Sequence, residues 1–410
     1  MDTEKMQENI FPSDLGPEYV GFDHVTWYVG NSKQAASYYV SRMGFKQIAY
    51  RGPETGSRHV TSRVVSNGQA VFVLSSPVCG PSEIGNDISR KEKAVVTEIH
   101  NHLTKYGDGV KDVAFQITGN VDDVWRRAVD CGAPPVVRPV TLRDDKNGSV
   151  RMATVGAYGD TVHSLVNRHL YTGLFLPGYE AVSEEDPINN LLPKIDFIEI
   201  DHCVGNQPWN GVDPVVEYYE KCLNSHRYWT VDDSNTCGDY SAMRSIVVSS
   251  PNEMTKMPLN EPAPGKGKSQ IEEFVDFYNG AGVQHIALRT HNIVTAITHL
   301  RARGVPFLRV PHEYYVDLRR RLSEVGLKLD EDIDLLEELN ILVDFDEKGY
   351  LLQIFAKHVS DRPTVFIKVI QRICFEGFGA GNFKSLFQAF EREQASRGNL
   401  QLYLSSRCSI

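Results

Sequence analysis

The sequence predicts an α+β protein of two domains, each built from paired βαβββ modules curved into a half-open barrel. Three observations predict it. A strand, a Gly-Asn turn and an amphipathic helix occur twice, opening on Phe22-Asp23-His24-Val25-Thr26-Trp27-Tyr28-Val29-Gly30-Asn31 and on Ile200-Asp201-His202-Cys203-Val204-Gly205-Asn206. A second strand and helix also occur twice, from Gly109-Val110-Lys111-Asp112-Val113-Ala114 and from Gly282-Val283-Gln284-His285-Ile286-Ala287. A stretch rich in proline and acidic residues, 174–194, separates the two halves as a linker should. Repeats on this scale describe a supersecondary unit used several times, and they outrank local propensity as evidence for architecture.

Taken in order, residues 1–20 are polar and acidic without an apolar core, and read as a disordered arm and not a signal peptide. The first domain spans 21–173. Its first module continues into the helix QAASYYVSRMGF and the strand pair RVVSNGQAVFVLSSP from Arg63, with turn residues at its middle. Its second module carries the helix VDDVWRRAVDCG and closes on TVHSLVNR from Thr161. The second domain spans 195–380, with the helix DPVVEYYEKCL, the strands of RSIVVSSPNEMTKMPLNEP from Arg244, the helix NIVTAITHLRARG and the last strand TVFIKVIQR from Thr364. An insertion from Tyr314 to Glu338 mixes basic and acidic helical segments, and its charge runs read as a solvated face. Residues 381–410 form a C-terminal helix and tail.

With 410 residues and 41% hydrophobic content, each half can bury its own core. The net charge of −10 argues against nucleic acid and anionic membranes as partners, because both attract basic surfaces. No apolar run approaches the roughly 18 residues of a membrane span. Seven cysteines without a CxxC pair suit reduced thiols in the cytoplasm. A small-molecule role is what remains.

His202 and His285 occupy equivalent strand positions in the third and fourth modules. A lone histidine is usually structural, but two at matched positions are expected to face one another across the barrel and suggest a metal. In the first half His24 matches His202, while Asp112 stands where His285 would be, so that half reads as a scaffold. Two histidines and a carboxylate bind non-haem Fe(II) with open positions for substrate and dioxygen. In the last strand Phe366, Lys368 and Ile370 share one face by the period of two. If that face points inward, Lys368 takes the third ligand position.

The segments IDHCVGNQP at 200–208, that around Ser245, PLNEPAPGKGKSQI at 258–271, GAGVQHIAL at 280–288, LLQIF at 351–355 and GFGAGNFKSLFQAFE at 377–391 resemble the 4-hydroxyphenylpyruvate dioxygenase family, in order from about Gly21 to Glu391. The resemblance implies a vicinal-oxygen-chelate, glyoxalase-like fold. It implies Fe(II), a homodimer, and conversion of 4-hydroxyphenylpyruvate and O2 to homogentisate and CO2 in tyrosine and phenylalanine catabolism. Residue by residue it makes His202 and His285 metal ligands and lets Ser245, Asn260 and Gln270 orient the aromatic α-keto acid. It places Gln284 and Gln353 beside the chemistry, makes Phe355, Phe366, Phe378 and Phe383 aromatic walls, counts Asn382 among the substrate-binding residues, and gives the GNFKSLFQAFE helix a gating role. Pro258 with Asn260 resembles the homogentisate-forming branch and not hydroxymandelate synthase. Serines and amides in sheets are otherwise structural, and phenylalanines in strands are otherwise core.

The resemblance departs at one ligand. Where the family has glutamate, this chain reads Phe366-Ile367-Lys368-Val369-Ile370. Beside a dication at ~4 Å, exchanging −1 for +1 turns an attraction into a repulsion, each on the order of 8 kcal/mol at an effective dielectric of ~20. Three readings follow: a dioxygenase relative with weakened or absent iron; an active dioxygenase rescued by water, by Glu376 or by a deprotonated Lys368; or a pocket repurposed so that Lys368 serves an aromatic α-keto acid without metal, as carboxylate anchor or Schiff-base amine. A pseudoenzyme that only binds a ligand belongs to the same set.

Overall fold

The computed structural model describes residues 19–81, 89–231 and 242–402. It arranges the chain as two mixed sheets. The first contains β1 (Tyr19–Tyr28), β2 (Lys46–Arg51), β3 (Val60–Asn67), β4 (Ala70–Pro77), β5 (Gly109–Ile117), β6 (Pro135–Asp144), β7 (Gly148–Gly156), β8 (Val162–Asn167) and the short β9 (Glu180–Ala181), in the order β6-β7-β8-β5-β1-β4-β3-β2-β9. The second contains β10 (Phe197–Asn206), β11 (His226–Val231), β12 (Ala242–Ser249), β13 (Lys256–Ala263), β14 (Gly282–Thr290), β15 (Leu342–Phe345), β16 (Tyr350–Phe355) and β17 (Phe366–Ile373), in the order β11-β12-β13-β10-β14-β17-β16-β15.

The pairing repeats. β1 lies parallel to β4 and antiparallel to β5, and β5 lies parallel to β8. β10 lies parallel to β13 and antiparallel to β14, and β14 lies parallel to β17. Each module therefore runs strand, helix and three strands. Its helix is the crossover that a parallel return requires, and the opening strands of paired modules meet at the centre of the sheet. Local sequence starts these crossover helices in the expected places. Asn31, Asn120 and Asn292 cap three of the four, their side chains accepting from free backbone N–H groups of the first turn.

Several features differ from expectation. Tyr19 is buried and, with Val20, belongs to β1 and not to the arm expected at 1–20; residues 1–18 lie outside the described ones, as do 403–410 of the expected tail. The 174–194 stretch pairs Glu180 and Ala181 with β2 and buries Phe175 and Leu176. Between the modules of each half stands an extra helix, Arg90–Tyr106 and Gln270–Tyr278, and the two meet through stacked Tyr106 and Tyr278 rings 4.6 Å apart. In the insertion the helix His312–Val325 buries Tyr314, Tyr315, Leu318 and Leu322, while Arg320 pairs with Asp317 and Glu324 at the surface. The charge run is thus the outer face of an amphipathic helix.

Candidate active site

His202 is on β10, His285 on β14 and Lys368 on β17, three adjacent strands. Register sets them around one small residue. His202 lies opposite Ala287, Ala287 lies opposite Lys368, and His285 precedes Ala287 by two on the same face. The two imidazoles are therefore side by side on neighbouring central strands, ring centres 5.7 Å apart, and not across the barrel from one another as the repeat alone suggested.

These three groups line one pocket. Ser245, Asn260, Gln270 and Gln284 line its walls, with Phe355, Phe366, Phe378 and Phe383. Sequence reasoning missed Val204, Trp229, Met243, Leu386 and Phe390, which also line it. Nothing distinguishes an apolar pocket residue from a core residue in a strand or helix pattern. Gln353 and Asn382 stand outside this lining. Gln353 is buried on β16 against Gly379, where any Cβ would fall 2.1 Å from its amide nitrogen and where φ is +87°. Asn382 accepts the Tyr314 hydroxyl at 2.7 Å. Both support the 377–382 loop.

Hydrogen bonds fix how each polar group presents itself. The Asp201 carboxylate accepts from His202 Nδ1 at 2.5 Å and Gln284 Oε1 accepts from His285 Nδ1 at 2.9 Å, which leaves both Nε2 lone pairs for the pocket. Gln284 donates to Gln270 Oε1 at 2.8 Å, and Asn260 donates to Asn206 at 3.3 Å. Burial, with Lys368 as a second cause, pulls the His202 pKa down to about 4. Burial, His202 and Lys368 hold His285 well below the usual imidazole range. Both rings are neutral near pH 7.

Behind His202, Arg372 donates to both Asp201 oxygens, at 2.7 and 3.0 Å, and to the carbonyls of Phe375 and Gly377. That clamp brings the Phe378 ring to 5.2 Å from His202. The first sheet repeats the construction. His24 Nδ1 meets Asp23 at 2.5 Å, Arg168 grips both Asp23 oxygens, and the Phe175 ring lies 5.1 Å from His24. There Asp112 occupies the place of His285 and accepts from the backbone and hydroxyl of Ser164, at 2.9 and 2.6 Å. The first half keeps the histidine frame and closes it internally.

Lys368 is 3% exposed, and its Nζ lies 5.3 Å from the centre of the Phe355 ring. Among the described residues none hydrogen-bonds or pairs with its ammonium group. Burial above all, then Arg372, lowers its pKa to about 7, against the opposing fields of Asp201 and Asp344. Among the described residues no acid lines the pocket. Glu376 lies past the end of β17 and accepts from the Tyr228 hydroxyl at 3.1 Å. Among the described residues no three His, Cys, Asp or Glu side chains converge as metal ligands would. Two imidazoles and an amine do not fit the two-histidine, one-carboxylate arrangement for non-haem Fe(II).

Residues 199–354 match the model of the Glyoxalase/Bleomycin resistance protein/Dioxygenase superfamily. The chain is 72% identical to the probable 4-hydroxyphenylpyruvate dioxygenase 2 of Aspergillus fumigatus, over 97% of this chain and 99% of that one. It is 59% identical to the 4-hydroxyphenylpyruvate dioxygenase of the same organism, over 93% and 94%. A triple mutant of 4-hydroxymandelate synthase from Streptomyces coelicolor superposes with a TM-score of 0.74 at 28% identity, over 92% of this chain and 99% of that one. Repeated modules, the pocket they enclose and full-length identity at this level agree: the chain belongs to the 4-hydroxyphenylpyruvate dioxygenase family.

Proposed function

We propose that this pocket receives 4-hydroxyphenylpyruvate, that the chain derives from an enzyme converting it with O2 to homogentisate and CO2, and that Lys368 leaves iron binding much weaker than a carboxylate would. One observation carries the reading: the two histidines with free Nε2 atoms, the amides and the aromatic walls line a single cavity. A phenyl ring suits Phe355, Phe366, Phe378, Phe383 and Phe390 by shape and by edge-to-face contact. Gln270, whose carbonyl is taken by Gln284, keeps its amide N–H groups for a phenol oxygen.

Fe(II), the cofactor expected of the family, would supply the oxygen chemistry. His202 and His285 are the residues suited to hold it, while the third donor is missing. The family assignment and the ordered motifs support O2 as co-substrate. The same reading includes a cytoplasmic homodimer, and the free thiols of Cys79, Cys131, Cys203, Cys222 and Cys374 suit that compartment. It also assigns the first sheet to a scaffold domain and the helix Phe383–Ser396, whose Phe383, Leu386 and Phe390 line the pocket, to gating.

The test is homogentisate formation by Lys368→Glu after anaerobic Fe(II) loading. Turnover in that variant, lost again when His202→Ala is added, supports the reading. Absence of homogentisate from a folded, iron-loaded Lys368→Glu contradicts it.

A further inference from the structure

We propose that Lys368 holds the substrate carboxylate directly, so that this chain binds aromatic α-keto acids without a metal. The inference rests on the assignment of the pocket above and deepens it. A cation buried in an apolar site needs a counter-charge, because desolvation is otherwise uncompensated. The Lys368 ammonium has no such partner among the described residues, and the pocket it enters is lined by no acid. An anionic ligand supplies that counter-charge and, by doing so, keeps the amine protonated.

The neighbouring groups make the choice more specific. His202 and His285 give their Nδ1 protons to Asp201 and Gln284, so each turns an Nε2 lone pair toward the cavity and neither can donate to a carboxylate there. Asp201 already satisfies Arg372 in a two-point pair, which keeps that guanidinium out of the pocket. Lys368 is thus the cationic donor among the lining residues. Its place beside Ala287, in one row with His202, sets it in a cavity that also presents amides and several phenylalanines. An anion at one end and an aromatic ring a few carbons away is the shape of an arylpyruvate.

The test compares two ligands against two proteins, all treated with chelator. Binding of 4-hydroxyphenylpyruvate and of 4-hydroxyphenylacetone, the same ketone without the carboxylate, is measured by calorimetry for the unaltered chain and for Lys368→Met. The unaltered chain should prefer the acid by about 10- to 100-fold, the range of a charge-assisted hydrogen bond, and Lys368→Met should lose that preference. Because the substitution removes a buried charge, loss of folding does not confound it. An acid preference undiminished in Lys368→Met, or acid binding only when Fe(II) is supplied, overturns the inference while leaving the pocket assignment in place. No binding of either ligand with or without Fe(II) overturns both.

Discussion

Removing the charge of Lys368 should stabilise the protein, by an amount that depends on pH. The amine is 3% exposed and its pKa falls from 10.5 in the unfolded chain to about 7 in the folded one. That shift corresponds to on the order of 5 kcal/mol between the protonation states. Between pH 7 and 10.5 the unfolded chain binds the proton and the folded chain does not, so this group makes stability rise with pH through that window. Below pH 7 both states are protonated and the full penalty applies; at pH 7 it is about 4 kcal/mol, and at pH 9 about 2. Methionine has a similar length, keeps the contact with Phe355 and carries no charge. Urea unfolding of chelator-treated protein should find Lys368→Met more stable by several kcal/mol at pH 7, with the gap about 2 kcal/mol smaller at pH 9. Equal stability at pH 7, or a gap that does not change with pH, would refute the view of Lys368 as an unpaired buried cation.

Two further predictions concern the frame around the site. Burial alone would raise the Asp23 carboxyl, but His24 and Arg168 hold it down to about 2, so its contribution of ~2 kcal/mol is present above about pH 4 and lost as pH falls toward 2. Asp23→Asn should lower stability at neutral pH by about that amount, with the difference from the unaltered chain vanishing near pH 2 in acid-unfolding curves. In the C-terminal helix, Arg397 meets the buried Glu273 at 2.8 Å, and Asn399 donates to the other Glu273 oxygen at 2.9 Å. Arg397→Ala leaves that carboxylate with one partner at a cost of about 1–3 kcal/mol. It should raise deuterium exchange in Phe383–Ser396 selectively; unchanged protection there would show that the pair does not anchor the helix.

The fold was legible because the repeat is long and its strand-helix-strand order survives in both halves. The Gly-Asn pair did not mark one turn in both halves: Asn31 caps the first helix, whereas Gly205-Asn206 ends β10, paired with β13 and β14, and its helix starts only at Val212. The histidines were legible for the same reason, since matched positions in repeated strands share one face. Their distance was not. Equivalent positions say nothing about whether two strands are neighbours or opposite, and only the β10–β14 register decides it. Trp229, Met243, Leu386 and Phe390 were hidden because pocket walls and core obey the same hydrophobic pattern. The Asp201–Arg372 clamp was hidden for a different reason. It joins residues 171 positions apart, and no local signal marks such a pair. Its counterpart, Asp23 with Arg168, lies in the matching place of the other half, so the repeat held the clue.

The structure also changes how the charge at position 368 should be viewed. An amine with pKa near 7 can release its proton to water at little expense near neutral pH as a dication enters, so the missing attraction of a carboxylate weighs more than repulsion. The central claim is that this one residue, and not the rest of the pocket, separates the chain from iron. Anaerobic Fe(II) equilibrium dialysis of the unaltered chain and of Lys368→Glu tests it most directly. The account predicts one bound iron in Lys368→Glu, with an affinity at least ~100-fold above that of the unaltered chain, a difference of about 3 kcal/mol that remains after most of the gross Coulomb attraction is offset by desolvation. Equal affinities in the two proteins would contradict it.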